Sequence, residues 1–495
     1  MHRLRAALLA CCMLPAVAAA SPAPPPDRFE DVRRSIRARV GAERVPALSV
    51  AVAKDGRLIW EEAFGQADLE RRVAATTETR FPIASVSKPL TATAVMVLVE
   101  QGKLSLERPA NDYLDTDIVA EIGDAREVTV RRLMSHTSGL SRHDLSDYLD
   151  EAYPPVDIHA RIRRYARTAR VPGESYEYSN LGYDILAHIV ARSSGQSFDR
   201  FMRDAVFQPL GMTRTSVGIP DPRPGDVAPS YDGDRRPVPM RHESSGGAGG
   251  AFSTAGDLAR FGTFHLARNQ ARGATIVSPA RLASMREPQV QTDSTAWYAL
   301  GWRVDRGAFG VETVYHTGSN GASSSLLAFV PGEDIVVAVL ANCVTYIPGQ
   351  IAREILASFG PRSAPGPHPS GYPATPLARE PYRPGREWIG RWEGMVQAPD
   401  ESVPIALDFT DAGPILVRLA DAAPDTAGGT RIEGGHLRGS FDGEIANPDT
   451  RGRRYRLHFK LKQVGDRLAG SVTAGSVPGE RVITLSYATE LRRTR

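Results

Sequence analysis

The apolar and polar positions of this chain fall into three regimes. "VPALSVAVAKDGRLIWEEAFG" (Val45–Gly65) reads as two strands around a Lys-Asp-Gly turn, where Gly56 suits a positive φ. From Leu90 to Gly102 apolar residues occupy nearly every face, which predicts a fully buried helix. "LGYDILAHIVARSSG" and "AGDLARFGTFHLARN" have helical spacing, whereas "SSSLLAFVP" and "IVVAVLAN" look like strands. Strands, then helices, then strands predict an α+β layer fold with an antiparallel sheet.

The pattern changes at Gly360. Up to Arg386 the chain holds eight prolines and little apolar matter, the composition of a semi-rigid linker. Beyond it "RYRLHFKLKQVG" alternates Tyr455, Leu457, Phe459 and Leu461 with charged residues, the period of a half-buried strand. With "IALDF", "ILVRLA" and "RVITLSY" it predicts a small antiparallel barrel or sandwich. The expected organisation is a signal peptide (1–20), a main domain (27–360), a linker (361–386) and a small all-β domain (387–495).

Composition narrows the setting. The first residues, "MHRLRAALLACCMLPAVAAASPAPPP", read as an export signal, with Arg3 and Arg5, an apolar run from Ala6 to Val17, and small Ala18 and Ala20 before Ser21. Cleavage there lowers the formal net charge of +3 by two charges, so neither nucleic acid nor an anionic membrane is an expected partner. Elsewhere no stretch is apolar and long enough to cross a bilayer. Cys343 is the one cysteine of the mature chain, which excludes an internal disulfide. "LLAC" is loosely similar to a lipid-attachment site, but five apolar residues before Cys11 are few, and a soluble periplasmic or secreted protein is the expectation.

Candidate chemistry begins at "FPIASVSKPL". Of 60 Lys and Arg residues only Lys54, Lys88, Lys103, Lys460 and Lys462 are lysines, and one of them stands three residues after Ser85. Pro89 is tolerated only in a first helical turn, so a helix starts near Ser85, with Ser85 and Lys88 on one face. A serine hydroxyl needs a base to become a nucleophile. Lysine can serve and arginine, which stays protonated, cannot. The competing reading is a capped helix with a solvated lysine.

Two further motifs join it. Tyr178-Ser179-Asn180 is the one Tyr-x-Asn among fifteen tyrosines. A tyrosine hydroxyl can relay a proton, and an asparagine amide can hold a substrate carbonyl and the lysine. Otherwise Tyr178 packs and Asn180 caps the next helix. His316-Thr317-Gly318 heads an apolar strand, and the amides of Ser319 and Ser85 could together bind an oxyanion. The alternative is a hairpin with an exposed histidine. "LMSHTSGLS" (Leu133–Ser141) reads as a structural turn.

"SVSK", "YSN" and "HTG", in that order, resemble the three motifs of the serine β-lactamase and penicillin-binding-protein superfamily. "LMSHTSGLS", "FQPLGMTRTS", "GGAFSTAGDLARF" and "LGWRV" are similar to segments of its class C-related branch, over roughly Phe29 to Phe359. The resemblance implies a β-lactamase/transpeptidase-like sheet flanked by helices plus a helical subdomain. It makes Ser85 the acylated nucleophile, Lys88 its base and Tyr178 the proton shuttle. Asn180, His316, Thr317, Gly318 and Ser319 would bind substrate. No cofactor or metal is implied, and the substrate would be a small ester, a β-lactam or a D-amino-acid peptide. Class C β-lactamases carry lysine where this chain has His316, which shifts the expectation toward an esterase or peptidase. "EWIGRWEG", with Trp388 and Trp392, is similar to the start of lipocalin-like barrels appended to some members.

Other classes fit less well. A non-enzymatic cell-wall-peptide or penicillin binder would have no need of Lys88 or Tyr178. No Gly-x-Ser-x-Gly elbow occurs, and the eleven histidines include no His-x-His or His-Glu-x-x-His. Oligomeric state is not legible.

Overall fold

The computed structural model describes residues 27–494 apart from 43–44, 146, 221–224, 243–245, 267–274, 294, 306, 308, 361–379, 383–384, 386–387, 412 and 478–479. The predicted signal peptide, with Cys11 and Cys12, and most of the predicted linker lie outside the described residues. Within that linker Glu380–Pro381 pairs antiparallel with Arg431 and Ile432. No helix of the described residues is long and apolar enough to cross a membrane.

Helix α1 (Glu30–Ala42) leads into β1 (Ala47–Lys54) and β2 (Arg57–Asp68). The hairpin turns at Asp55 and Gly56, both at positive φ, 50° and 75°. The later strands β3 (Thr313–Ser319), β4 (Ser324–Val330) and β5 (Ile335–Ala341) close an antiparallel sheet. Its order is 290–291, 296–298, 303–305, β3, β4, β5, β1, β2, 73–74. Every residue of β4 and β5 is buried. Such two-sided burial requires cover on both faces. Helices α1 and α6 (Ile347–Ala357) cover one, and α5 (Ala255–His265) covers the other.

A helical region fills the space between β2 and the later strands. The predicted buried helix is α2 (Ser87–Glu100), entered through a 3-10 turn at Ala84–Val86, and it is buried from Ser87 to Leu98. It packs on α4 (Asn180–Ser194), which in turn contacts α3 (Ile158–Tyr165). The fold is thus the β-lactamase/transpeptidase sheet with flanking helices that the motifs implied.

The C-terminal strands are β6 (Gly390–Val396), β7 (Val403–Phe409), β8 (Ile415–Leu419), β9 (Gly428–Glu433), β10 (His436–Phe441), β11 (Tyr455–Val464), β12 (Arg467–Ser476) and β13 (Ile483–Arg493). They form a nearly closed antiparallel barrel in the order β9-β10-β11-β12-β13-β6-β7-β8. On β11, Leu457, Phe459 and Leu461 point inward while Arg456 and His458 are exposed, the predicted period of two. Trp392, Phe441, Phe459 and Tyr487 are buried and fill the barrel.

The barrel is fastened to the helical region by charge and by backbone. Asp449 receives two 2.9 Å bonds from Arg164 and one of 2.6 Å from Tyr165 Oη. Arg453 donates to both Glu151 oxygens, and Arg451 is paired with Asp147. Strand β13 also pairs with Asp144–Leu145, so a piece of the helical region extends the barrel sheet.

Candidate active site

Between Phe81 and Leu98 every residue is buried except Ser85. The reason lies in the local backbone. Ala84 takes φ +46°, a left-handed conformation that an alanine adopts only when its surroundings impose it. Ser325 Oγ donates to Ile83 O at 2.7 Å, Ser323 Oγ to Pro82 O at 3.1 Å, and Ile83 N to Ala251 O at 3.0 Å. These bonds hold the turn that lifts Ser85 out of the core.

Lys88 is fully buried, which excludes the solvated-lysine alternative. Its Nζ lies 2.8 Å from Asn180 Oδ1, 2.8 Å from Ala248 O and 3.2 Å from Ser85 Oγ. Tyr178 Oη donates to Ser85 Oγ at 2.8 Å, and Lys88 Nζ sits 4.7 Å from the Tyr178 ring centre. Asn180 does not cap its helix. Ser179 is the N-cap, accepting from Gly182 N at 3.1 Å, which leaves the Asn180 amide for Lys88.

The third motif lies on β3. Thr317, Gly318 and Ser319 pair with Leu326, Ser325 and Ser324. Ser319 is exposed and shares a cleft with Ser85 and Asn180. A β-carbon on Gly318 would fall 2.2 Å from Ile83 O, 2.3 Å from Ser325 Oγ and 3.1 Å from Ser85 N. Glycine there admits the turn that carries Ser85, a role beyond the approach of substrate. His316 is buried, against the exposed-histidine alternative. Its Nδ1 lies 2.7 Å from Thr317 O, which can only accept, so Nδ1 carries the proton. Nε2 then accepts from Tyr298 Oη at 3.0 Å. Burial first, then the cations Lys88 and Arg303, hold the imidazole pKa well below 6.5. His316 is neutral at pH 7.

Several contributors carried no clear sequence signal. Ala248 O reaches Lys88 from a glycine turn, where a β-carbon on Gly247 would meet Tyr183 O at 2.3 Å. His136, in the stretch read as a structural turn, packs its ring 4.3 Å from that of Tyr178 and 4.6 Å from that of Tyr298. Its Nδ1 accepts from Ser179 N at 3.1 Å, and burial, ahead of the Lys88 charge, keeps it neutral. Asp144 and Arg241, 3.1 Å apart, form part of the cleft wall. Isolated charges far apart in sequence give no pattern to read.

The barrel reaches the site through Glu177, the residue before Tyr178. Arg170 lies 3.1 Å from Glu177 Oε2, and Lys460 of β11 is paired with the same oxygen. Burial alone would raise the Glu177 carboxyl, but these two cations hold it at about 2. Burial pushes Lys460 down to about 8, and both groups are charged at neutral pH.

Residues 32–358 match the Beta-lactamase family. Over 350 residues the chain is 34% identical to "Penicillin-binding protein 4" of Amycolatopsis lactamdurans, covering 67% of this chain and 89% of that protein. It is 35% identical over 194 residues to a D-aminopeptidase of Brucella anthropi, 38% of this chain and 36% of that one. The octameric penicillin-binding protein homologue of Pyrococcus abyssi shares the fold, with a TM-score of 0.60 at 23% identity, over 93% of this chain and 99% of that one. The matched span contains the buried lysine beside an accessible serine, the tyrosine and asparagine that meet them, and the strand that closes the cleft, and the chain belongs to the β-lactamase and penicillin-binding-protein family of serine hydrolases.

Proposed function

We propose that this protein is an exported hydrolase that works through an acyl-enzyme on Ser85, with Lys88 as general base, on small esters, amides or D-amino-acid peptides. One observation carries the reading. The two shortest contacts of Lys88 Nζ, both 2.8 Å, go to Asn180 Oδ1 and Ala248 O, which can only accept. When Lys88 acts as the base, its amine keeps two N–H bonds for these carbonyls and turns its lone pair to the hydroxyl of Ser85, 3.2 Å away. The two carbonyls thus orient the amine as a base.

The steps follow. Ser85 Oγ attacks the substrate carbonyl carbon while its proton passes to Lys88 Nζ. The amides of Ser85 and Ser319 face the developing oxyanion. Tyr178 Oη, beside Ser85 Oγ, passes a proton to the leaving group as the bond to it breaks. The proton held by Lys88 then passes through Ser85 Oγ's neighbour Tyr178 to restore its hydroxyl, which leaves Lys88 neutral again. Water attacks the ester carbon and gives its proton to Lys88, the bond from that carbon to Ser85 Oγ breaks, and the same proton returns to Ser85 Oγ as the acid product leaves.

The neutral His316 favours substrates that need no fixed cation at that position over a class C-like β-lactamase reaction. Two relatives, a penicillin-binding protein and a D-aminopeptidase, support substrates of this kind. Penicillin binding with slow deacylation is the second reading. Export rests on the apolar run Ala6–Val17 and the small residues before Ser21.

Intact mass recorded over time after mixing with a penicillin, beside a Ser85→Ala control, separates the readings. A lasting Ser85-dependent adduct points to a peptidase, an esterase or a penicillin-binding protein, and drug consumption without an adduct to a β-lactamase. Short-chain esters and D-alanyl peptides are the parallel substrates, and full turnover of any of them by Ser85→Ala would sink the proposal. N-terminal sequencing of the exported protein tests cleavage after Ala20.

A further inference from the structure

Outside the cleft, three segments bring two imidazoles and a carboxylate together. Asp115 follows the 3-10 turn Ala110–Tyr113, His159 is the second residue of α3, and His188 lies midway along α4. His159 Nδ1 is 3.2 Å from Asp115 Oδ1, and His188 Nε2 is 3.3 Å from the same oxygen. All three donor atoms lie within 4.8 Å of one another, with the imidazole rings nearly perpendicular at 83°. It is the one such group of three among the described residues.

Two of the three separations are those of a coordination shell. A tetrahedral zinc ion with bonds near 2.0–2.1 Å sets its ligand atoms roughly 3.3 Å apart. Two nitrogens aimed at one carboxylate oxygen already meet that spacing. The remaining contacts fix the ligands in place. Arg192, one turn beyond His188, is paired with Asp115 Oδ2, which turns Oδ1 toward the histidines. The same arginine donates from Nε to Tyr113 O at 3.0 Å and ties the loop to α4. The first turn of α3 is fixed by Asp157, whose Oδ1 accepts from the His159 amide at 2.8 Å. Thr116 Oγ1 lies 3.3 Å from His159 Nδ1.

We propose that Asp115, His159 and His188 form a site for one divalent transition-metal ion of the zinc type. Two imidazoles and a carboxylate are the donor set such ions take, with the solvent-facing position left for water. The ion would join the 110–116 loop, α3 and α4. Helix α4 begins at Asn180, whose side chain holds Lys88, so the clamp braces the helix that serves the cleft without touching it. This inference stands apart from the acyl-enzyme reading.

The test uses the full mature chain stripped with chelator. Calorimetry with Zn²⁺ is expected to give one ion per chain, and Co²⁺ to give the visible bands of tetrahedral coordination. Zn²⁺ is also expected to raise the melting temperature. In a His159→Ala/His188→Ala variant, affinity should fall by more than the roughly 10–100-fold that losing an outer-shell partner costs. Asp115→Asn, which keeps the shape of the side chain, serves if the double variant fails to fold. Absence of binding overturns the site, as does binding that either variant leaves unchanged, and the cluster is then a hydrogen-bonded network only.

Discussion

Gly318 and Ser85 are held backbone against backbone. A β-carbon added to Gly318 would stand 3.1 Å from the Ser85 amide nitrogen, 2.2 Å from Ile83 O and 2.3 Å from Ser325 Oγ, so β3 meets the turn bearing Ser85 with room beside it only for the Ser325 hydroxyl. That contact sets where the amides of Ser85 and Ser319 lie relative to each other. Gly318→Ala should therefore push the turn away from the strand. The expected result is a loss of about 1–3 kcal/mol in stability from overpacking, with a larger loss in kcat than in substrate affinity. Denaturant melts and steady-state kinetics on one preparation check both, and a fully active, equally stable variant would contradict the contact.

Lysine at position 88 has three partners that a guanidinium cannot reproduce. Arginine stays protonated and cannot take the Ser85 proton, so in Lys88→Arg turnover should fall by roughly 10²–10⁴-fold. Rates of acylation in single-turnover experiments are the measurement. Near wild-type acylation by the arginine variant would mean that another group takes the proton from Ser85.

Tyr178→Phe removes the 2.8 Å hydroxyl contact to Ser85 Oγ and leaves the ring on His136. A drop of roughly 10²-fold or more in kcat, with melting temperature little changed, is expected. An unchanged rate would show the hydroxyl to be a bystander.

Acid should destabilise the fold from about pH 6.5 downward. Burial, as the largest cause, lowers His143 and His265 from 6.5 to about 3, and it also depresses His136 and His316. Between the folded and unfolded values the unfolded chain binds more protons, so stability is fully present above 6.5 and is lost as pH falls. Glu177, at about 2 against an ordinary 4.5, adds a second loss below 4.5 with the same sign. Melting temperature across pH 7.5 to 4 reads this directly, and a flat profile between 6.5 and 5 would refute it.

Lys460 ties the barrel to the residue before Tyr178. Lys460→Met removes the cation and leaves Arg170 as the Glu177 partner. We expect kcat to fall several-fold while the barrel strands keep their protection from amide exchange. Unchanged kcat would mean that the barrel stabilises the fold without positioning Tyr178.

Periodicity carried the sheet hairpin, the buried helix and the barrel strands, because each of these buries one face or all faces in a pattern that repeats every two or 3.6 residues. Spacing likewise exposed Ser85 with Lys88 and Tyr178 with Asn180, since each pair sits within one turn of backbone. What sequence alone could not decide was every partner that arrives from a distance. Ala248 offers only a carbonyl, which all residues have, and its use depends on a glycine turn meeting α2. His136 looked like part of a turn because its stacking partners lie at 178 and 298. The cap on α4 went to Ser179 rather than Asn180, whose amide meets Lys88 from a distant helix. Asp115, His159 and His188 share no spacing at all. Local order repeats along the chain and can be read there, whereas convergence of separate segments is fixed only when the core packs.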